Sequence, residues 1–164
     1  MVLGFIRDQR ATEERRAGIQ ADIFKKLDDL LLKKSDRSVV PASVLDEKSG
    51  LKFEIAEKMI TTSAVYTHRE YPTLTIESTP QRDLGELEPI KKILPNPNGW
   101  NVQRIVYHID DKGEENRIEI YRGDVKSTFT PKDSDPNKYW GLMEDLSNNF
   151  DMVENAFSSV TPQA

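Results

Sequence analysis

The residues most suited to proton or metal chemistry in this chain gather in one stretch, VYHIDDKGEENRIEIYRG, residues 106–123. His108 stands there among Asp110, Asp111, Glu114, Glu115 and Glu119. A histidine beside a carboxylate can shuttle protons near neutral pH, and a His/Asp/Glu set can hold a divalent cation. The alternation of Ile105, Tyr107 and Ile109, and then of Ile118 and Ile120, predicts two strands of a hairpin with one apolar face. Two registers keep those faces matched, one turning at Gly113–Glu114 and one at Lys112–Gly113. In both, His108, Asp110, Arg117, Glu119 and Tyr121 share the opposite face. In the first, His108 lies directly across from Glu119.

That polar face is expected to be the solvated side of a one-sided sheet. A catalytic metal centre normally recruits two or three imidazoles, and the two histidines of this chain, His68 and His108, stand 40 residues apart. Arg117 on the same face would repel a cation, and acids are common turn residues in any case. His68, within YTHREYP, is flanked by charge and reads as a surface residue. No glycine spacing matches a phosphate-binding loop, and no serine sits in a G-x-S-x-G elbow. The pairs Glu54 with Glu57 and Glu86 with Glu88 are what an acidic chain produces by chance. No catalytic residue, no metal ligand and no cofactor site is therefore assigned. His108 with Glu119 is the one pair to name if the protein is an enzyme.

The elements that would carry these residues can be placed from periodicity. Residues 7–34 contain no proline and a single glycine, Gly18. Ile23, Phe24, Leu27, Leu30 and Leu31 form an apolar stripe, so the second half of this helix should pack on a core. Its first half carries Glu13, Glu14, Arg15 and Arg16 and should project. Pro41 keeps the following extended chain out of a central strand position. Residues 51–66 fit either a helix or two strands with a turn near Glu57–Lys58, the second being preferred. YPTLTIES is a strand with Leu74 and Ile76 inward. A short helix around residues 86–93 takes Pro89 in its first turn. VKSTFT is a further strand. A final amphipathic helix opens with Asp135 as N-cap and Pro136 at its first position, and runs through Tyr139, Leu142, Met143, Leu146, Phe150, Val153 and Phe157.

The expected fold class is α+β: an antiparallel sheet of about five or six strands, packed by a long N-terminal helix and an amphipathic C-terminal helix. The expected organisation is a projecting N-terminal helical segment, residues 1–20, and a single α+β domain, residues 21–164. At 164 residues such a chain can bury roughly 70% of its unfolded surface and needs neither disulfide nor metal to fold. It has no cysteine, which removes thiolate catalysis and cysteine–zinc sites. The net charge of −5 disfavours nucleic acid as a partner. The charge is uneven: residues 7–34 carry eight bases and six acids, residues 131–164 two bases and six acids. No apolar run reaches the ~18 residues of a membrane helix. MVLGFI is too short an apolar core for a secretory signal, and the acids behind it are foreign to a mitochondrial presequence. A cytoplasmic location and no membrane insertion are expected.

The functional expectation is a non-enzymatic protein-interaction module, an adaptor or chaperone-like subunit of a larger assembly. Its partner is another protein or a second copy of itself. The residues expected to meet that partner are Met1, Leu3, Phe5, Ile6 and Arg10, together with Trp100 of the NPNGW loop, tryptophan being enriched in binding hot spots. The alternative is a binding protein for a small apolar ligand held between sheet and C-terminal helix, with Tyr107, Trp140, Met143 and Phe150 as wall residues.

Overall fold

The computed structural model describes residues 2–34, 42–62, 67–79, 82–94 and 101–158, with the backbone alone described at 2–9, 32–34, 42, 57–62 and 67–71. Met1, Pro41, Trp100 and the rest of the NPNGW loop lie outside the described residues.

The order is helix α1 (Val2–Lys34), strands β1 (Ala42–Asp46), β2 (Leu51–Thr62) and β3 (Thr67–Ser78), a 3-10 turn (Leu84–Glu86), the short helix α2 (Glu88–Lys91), strands β4 (Val102–His108), β5 (Arg117–Arg122) and β6 (Val125–Phe129), and helices α3 (Asn137–Asn148) and α4 (Asp151–Ser158). The six strands form one sheet in sequence order, each antiparallel to the next. The α+β class and the antiparallel sheet read from the sequence are therefore present. β1, which follows Pro41, is an edge strand.

The core lies on one face of the sheet. Phe53, Ile55, Leu74, Ile76, Ile105, Tyr107, Ile118 and Ile120 are buried there with Ile23, Leu27 and Leu31 of α1 and with the apolar stripe of α3 and α4. Each such side chain removed from water contributes about 1.5–3 kcal/mol. Pro89 sits in the first turn of α2, as its fixed φ favours.

Two elements differ from expectation. Residues 51–66 do not turn at Glu57–Lys58: β2 continues through Thr62, with Glu57 opposite Pro72 and Lys58 opposite Tyr71. The segment has no glycine or Asn-Gly pair to reverse the chain there, and its Thr, Ile and Met residues favour continued extension. β1 pairs with β2 only at 51–55, and β4 pairs with β3 only at 73–77. Residues 57–62 and 67–72 thus pair with each other as a two-stranded ribbon, about 20 Å long at ~3.3 Å per residue, beyond the six-stranded part.

The C-terminal helix is two helices. Pro136, not Asp135, holds the N-cap position, and Asp135 instead accepts a hydrogen bond from the Asn137 N–H at 3.2 Å. α3 ends at Asn148, and Asn149 turns its side-chain amide back to the Asp145 carbonyl at 2.8 Å. Asparagine competes for backbone groups in this way, and the chain restarts as α4 with Asp151 and Glu154 in its first turn. The bend keeps Tyr139, Leu142, Met143, Leu146, Phe150, Val153 and Phe157 all buried.

Along α1, Arg10, Ala11, Glu13, Glu14 and Arg15 are exposed. The helix meets α3 through Arg15 and Glu144 at 3.6 Å and through Arg16 Nη2, which donates to Asn137 Oδ1 at 3.0 Å. Ser147 donates to Asp22, six residues beyond Arg16 on α1, at 3.1 Å.

Candidate functional site

The register of the β4–β5 hairpin is the one that turns at Lys112–Gly113: His108 faces Arg117, and Val106 faces Glu119. His108 and Glu119 are therefore diagonal neighbours, and their side chains meet, with His108 Nε2 2.5 Å from Glu119 Oε1. The expectation of a solvated face fails here. His108 is 5% exposed and Glu119 7%. Among the described residues, long basic side chains close over the pair. Lys126 Nζ of β6 lies 3.2 Å from Glu119 Oε2, and Arg117 Nε 3.9 Å. The apolar stems of such side chains can cover a sheet face while their heads remain wet.

Burial alone would raise the Glu119 pKa. Hydrogen bonds from His108 and Lys126 and the charges of His108 and Arg117 outweigh it and hold the carboxyl below its ordinary value. Glu119 is thus an anion held between three potential cations. A general base must reach a substrate proton, and this pair is shut beneath its neighbours. No group of three metal-ligating side chains occurs among the described residues.

Asp110, expected on the same face, lies past the strand end and is buried. Its carboxylate accepts hydrogen bonds from the backbone N–H groups of Gly113, Glu114 and Glu115. That ring of donors shapes the loop, and Gly113 supplies its left-handed residue at φ 78°. The Asn116 side-chain amide donates to Tyr139 Oη at 2.8 Å and to Gln20 Oε1, and Asn116 Oδ1 accepts from the Asp110 N–H at 2.8 Å. Gln20 Nε2 donates to the Asp110 carbonyl at 2.5 Å. One buried network so joins α1, the hairpin loop and α3. Burial, with Asp110 nearby, pushes the Tyr139 phenol well above its usual range despite the Asn116 bond.

The sequence alone assigns no role to Gln20, Asn116 or Tyr139 in such a network, because its directly bonded side chains lie up to 96 residues apart. The local hint was Asp110 three residues before Gly113, the signature of a side-chain-capped turn.

The residues expected to meet a partner are only partly described. Leu3, Phe5 and Ile6 lie on the backbone of α1, and Arg10 is exposed on it. Met1 and Trp100 lie outside the described residues. Of the candidate ligand walls, Tyr107, Met143 and Phe150 are core residues. Trp140 is half-buried, edge-on to Tyr139 with a 4.9 Å centroid separation and with the Arg16 guanidinium 5.6 Å from its ring centroid. Burial, and then the charge of Asp145, drive the Tyr107 phenol far above its usual range. Glu54 is half-buried on β2, while Glu86 and Glu88 are exposed and Glu88 is paired with Lys91 at 3.0 Å. No helix among the described residues is long and apolar enough to cross a membrane.

Comparison with protein-family models, with curated proteins and with solved structures found no match to this chain.

Proposed function

We propose that the protein is a protein-interaction module, an adaptor or chaperone-like subunit, that engages another protein or a second copy of itself through the N-terminal half of α1. The observation that carries this reading is the continuous helix from Val2 whose side chains at Arg10, Ala11, Glu13, Glu14 and Arg15 are exposed. Residues 2–14 amount to about 20 Å of helix at 1.5 Å per residue. A segment of that length is marginal by itself in water, and a docking partner would supply packing for it. Its sequence opens with the apolar MVLGFI. Exposed ion pairs from the arginines and glutamates behind it contribute only ~0.2–1 kcal/mol each, so the apolar residues would supply most of the affinity.

Light scattering of the purified chain, run beside affinity capture from the native source, tests the reading. The parent should self-associate or capture a defined partner, and Phe5→Asp with Ile6→Asp should abolish both. A parent that remains monomeric and captures the same proteins as the double variant would sink the proposal.

A further inference from the structure

We propose that a cleft at the end of the sheet remote from His108 binds an acidic peptide segment, with Arg82 and Arg104 receiving its carboxylates. The cleft encloses about 480 Å³ where β3 ends, β4 begins and β5 ends, and its lining includes Glu77, Arg82, Asn101, Gln103, Arg104 and Tyr121. That is ample room for a ligand of several residues' side chains, since small-molecule sites run roughly 300–1,000 Å³.

The wall is built rather than incidental. Arg104 stands in register with Glu77 on one side and Tyr121 on the other. Its guanidinium carbon lies 4.2 Å from the Tyr121 ring centroid, which positions the fork against the ring. On the facing segment, the Arg82 N–H donates to Ser78 Oγ at 3.1 Å, and that hydroxyl donates to the Arg82 carbonyl at 2.9 Å. The next residue, Asp83, accepts from the Gly85 and Val102 N–H groups at 2.9 and 3.1 Å, which ties the segment to the start of β4.

The charge arrangement selects the ligand. Glu77 is paired with Lys52 of β2 at 3.6 Å. Neither Arg82 nor Arg104 has a carboxylate within ion-pair distance among the described residues. Two guanidinium groups, preferred receptors for carboxylates, thus line one cleft in a chain whose net charge is −5. Among the described residues that line it there is no aliphatic side chain, unlike the usual apolar site for a small organic molecule. Asn101 and Gln103 add amide donors and acceptors of the kind that pair with a peptide backbone.

The inference does not rest on the reading of α1, and the experiment keeps the two apart. Fluorescence anisotropy of a labelled hexaglutamate peptide should show binding that weakens as salt is raised. Arg82→Ala and Arg104→Ala should each weaken it about tenfold, the loss of one charge-assisted hydrogen-bonding group. Lys112→Ala, in the loop at the other end of the sheet, and a chain lacking residues 2–13 should bind as the parent does. A hexaglutamine peptide should not bind. Arg82 is exposed on a loop, so its variant carries the test even if Arg104→Ala fails to fold. Undiminished binding in Arg82→Ala, or an equal loss in Lys112→Ala, would overturn the assignment. Inorganic phosphate binding as tightly as the peptide would overturn it too, since the cleft would then recognise an oxyanion alone.

Discussion

At the scale of single residues, the His108–Glu119 pair is a buried hydrogen-bonding contact on the side of the sheet away from the core. Replacing His108 by Ala removes one partner and leaves the Glu119 carboxylate in a nearly closed site. The expected cost is about 1–3 kcal/mol by urea unfolding, well above the few tenths of a surface position. A change below half a kcal/mol would mean that Lys126 and water replace the imidazole without loss. Glu119 also gives a pH signature. Its folded pKa lies below the ordinary 4.5, so the stability it contributes is fully present above that value. It is lost as pH falls from there through the folded value. Glu119→Gln should therefore be less stable than the parent at neutral pH, and the gap should close on acidification below about pH 4.5. A gap that is constant with pH would show that Glu119 is not held as an anion by its neighbours. Which face His108 occupies was legible from the period-2 alternation of Ile105, Tyr107 and Ile109. Its burial was not, because that depends on the diagonal offset to Glu119 and on the reach of Lys126 from β6, neither of which alternation encodes.

At the scale of elements, the bend between α3 and α4 shows what periodicity can and cannot tell. Leu142, Met143, Leu146, Phe150, Val153 and Phe157 recur every three or four residues, and the structure buries all of them. The same spacing reads equally well through a break, so the end of α3 at Asn148 was hidden in the continuity of the stripe. Leu146→Ala should cost about 2–5 kcal/mol, since the residue is buried in the last turn of α3. Phe150→Ala should cost about 3–5 kcal/mol, because its ring, on the link joining the two helices, is buried, with Lys26 Nζ 5.5 Å from the ring centroid. Chemical denaturation of both variants checks this, and a loss under half a kcal/mol in either would mean that the helices are not fixed against the sheet. The β2–β3 ribbon teaches the complementary lesson. EIAEKMITT supports helix, strand or turn locally, and pairing of 57–62 with 67–72 decides among them.

At the scale of the whole molecule, α1 is woven into the domain from Arg15 onward, and the proposed docking role of residues 2–13 requires the two parts to separate thermodynamically. Arg16 reaches Asn137, and Gln20 is only 8% exposed, bonded to the Asp110 carbonyl and to Asn116. Removing Gln20 would leave Asp110 and Asn116 short of partners in a buried site, each at a cost of about 1–3 kcal/mol. Residues 2–13 precede these contacts. A chain beginning at residue 14 should keep the parent's thermal midpoint within about 2 °C under dilute conditions, the shift of less than 1 kcal/mol in a domain of this size. A chain beginning at residue 21 should melt about 5–10 °C lower, because the loop that Asp110 organises loses its anchor on α1. The pair of truncations reads two different things. Association lost already on removal of 2–13, with the midpoint kept, assigns that segment to a partner. A midpoint that falls as far for the shorter deletion as for the longer one would instead make residues 2–13 part of the domain's own core and remove the support for a docking helix.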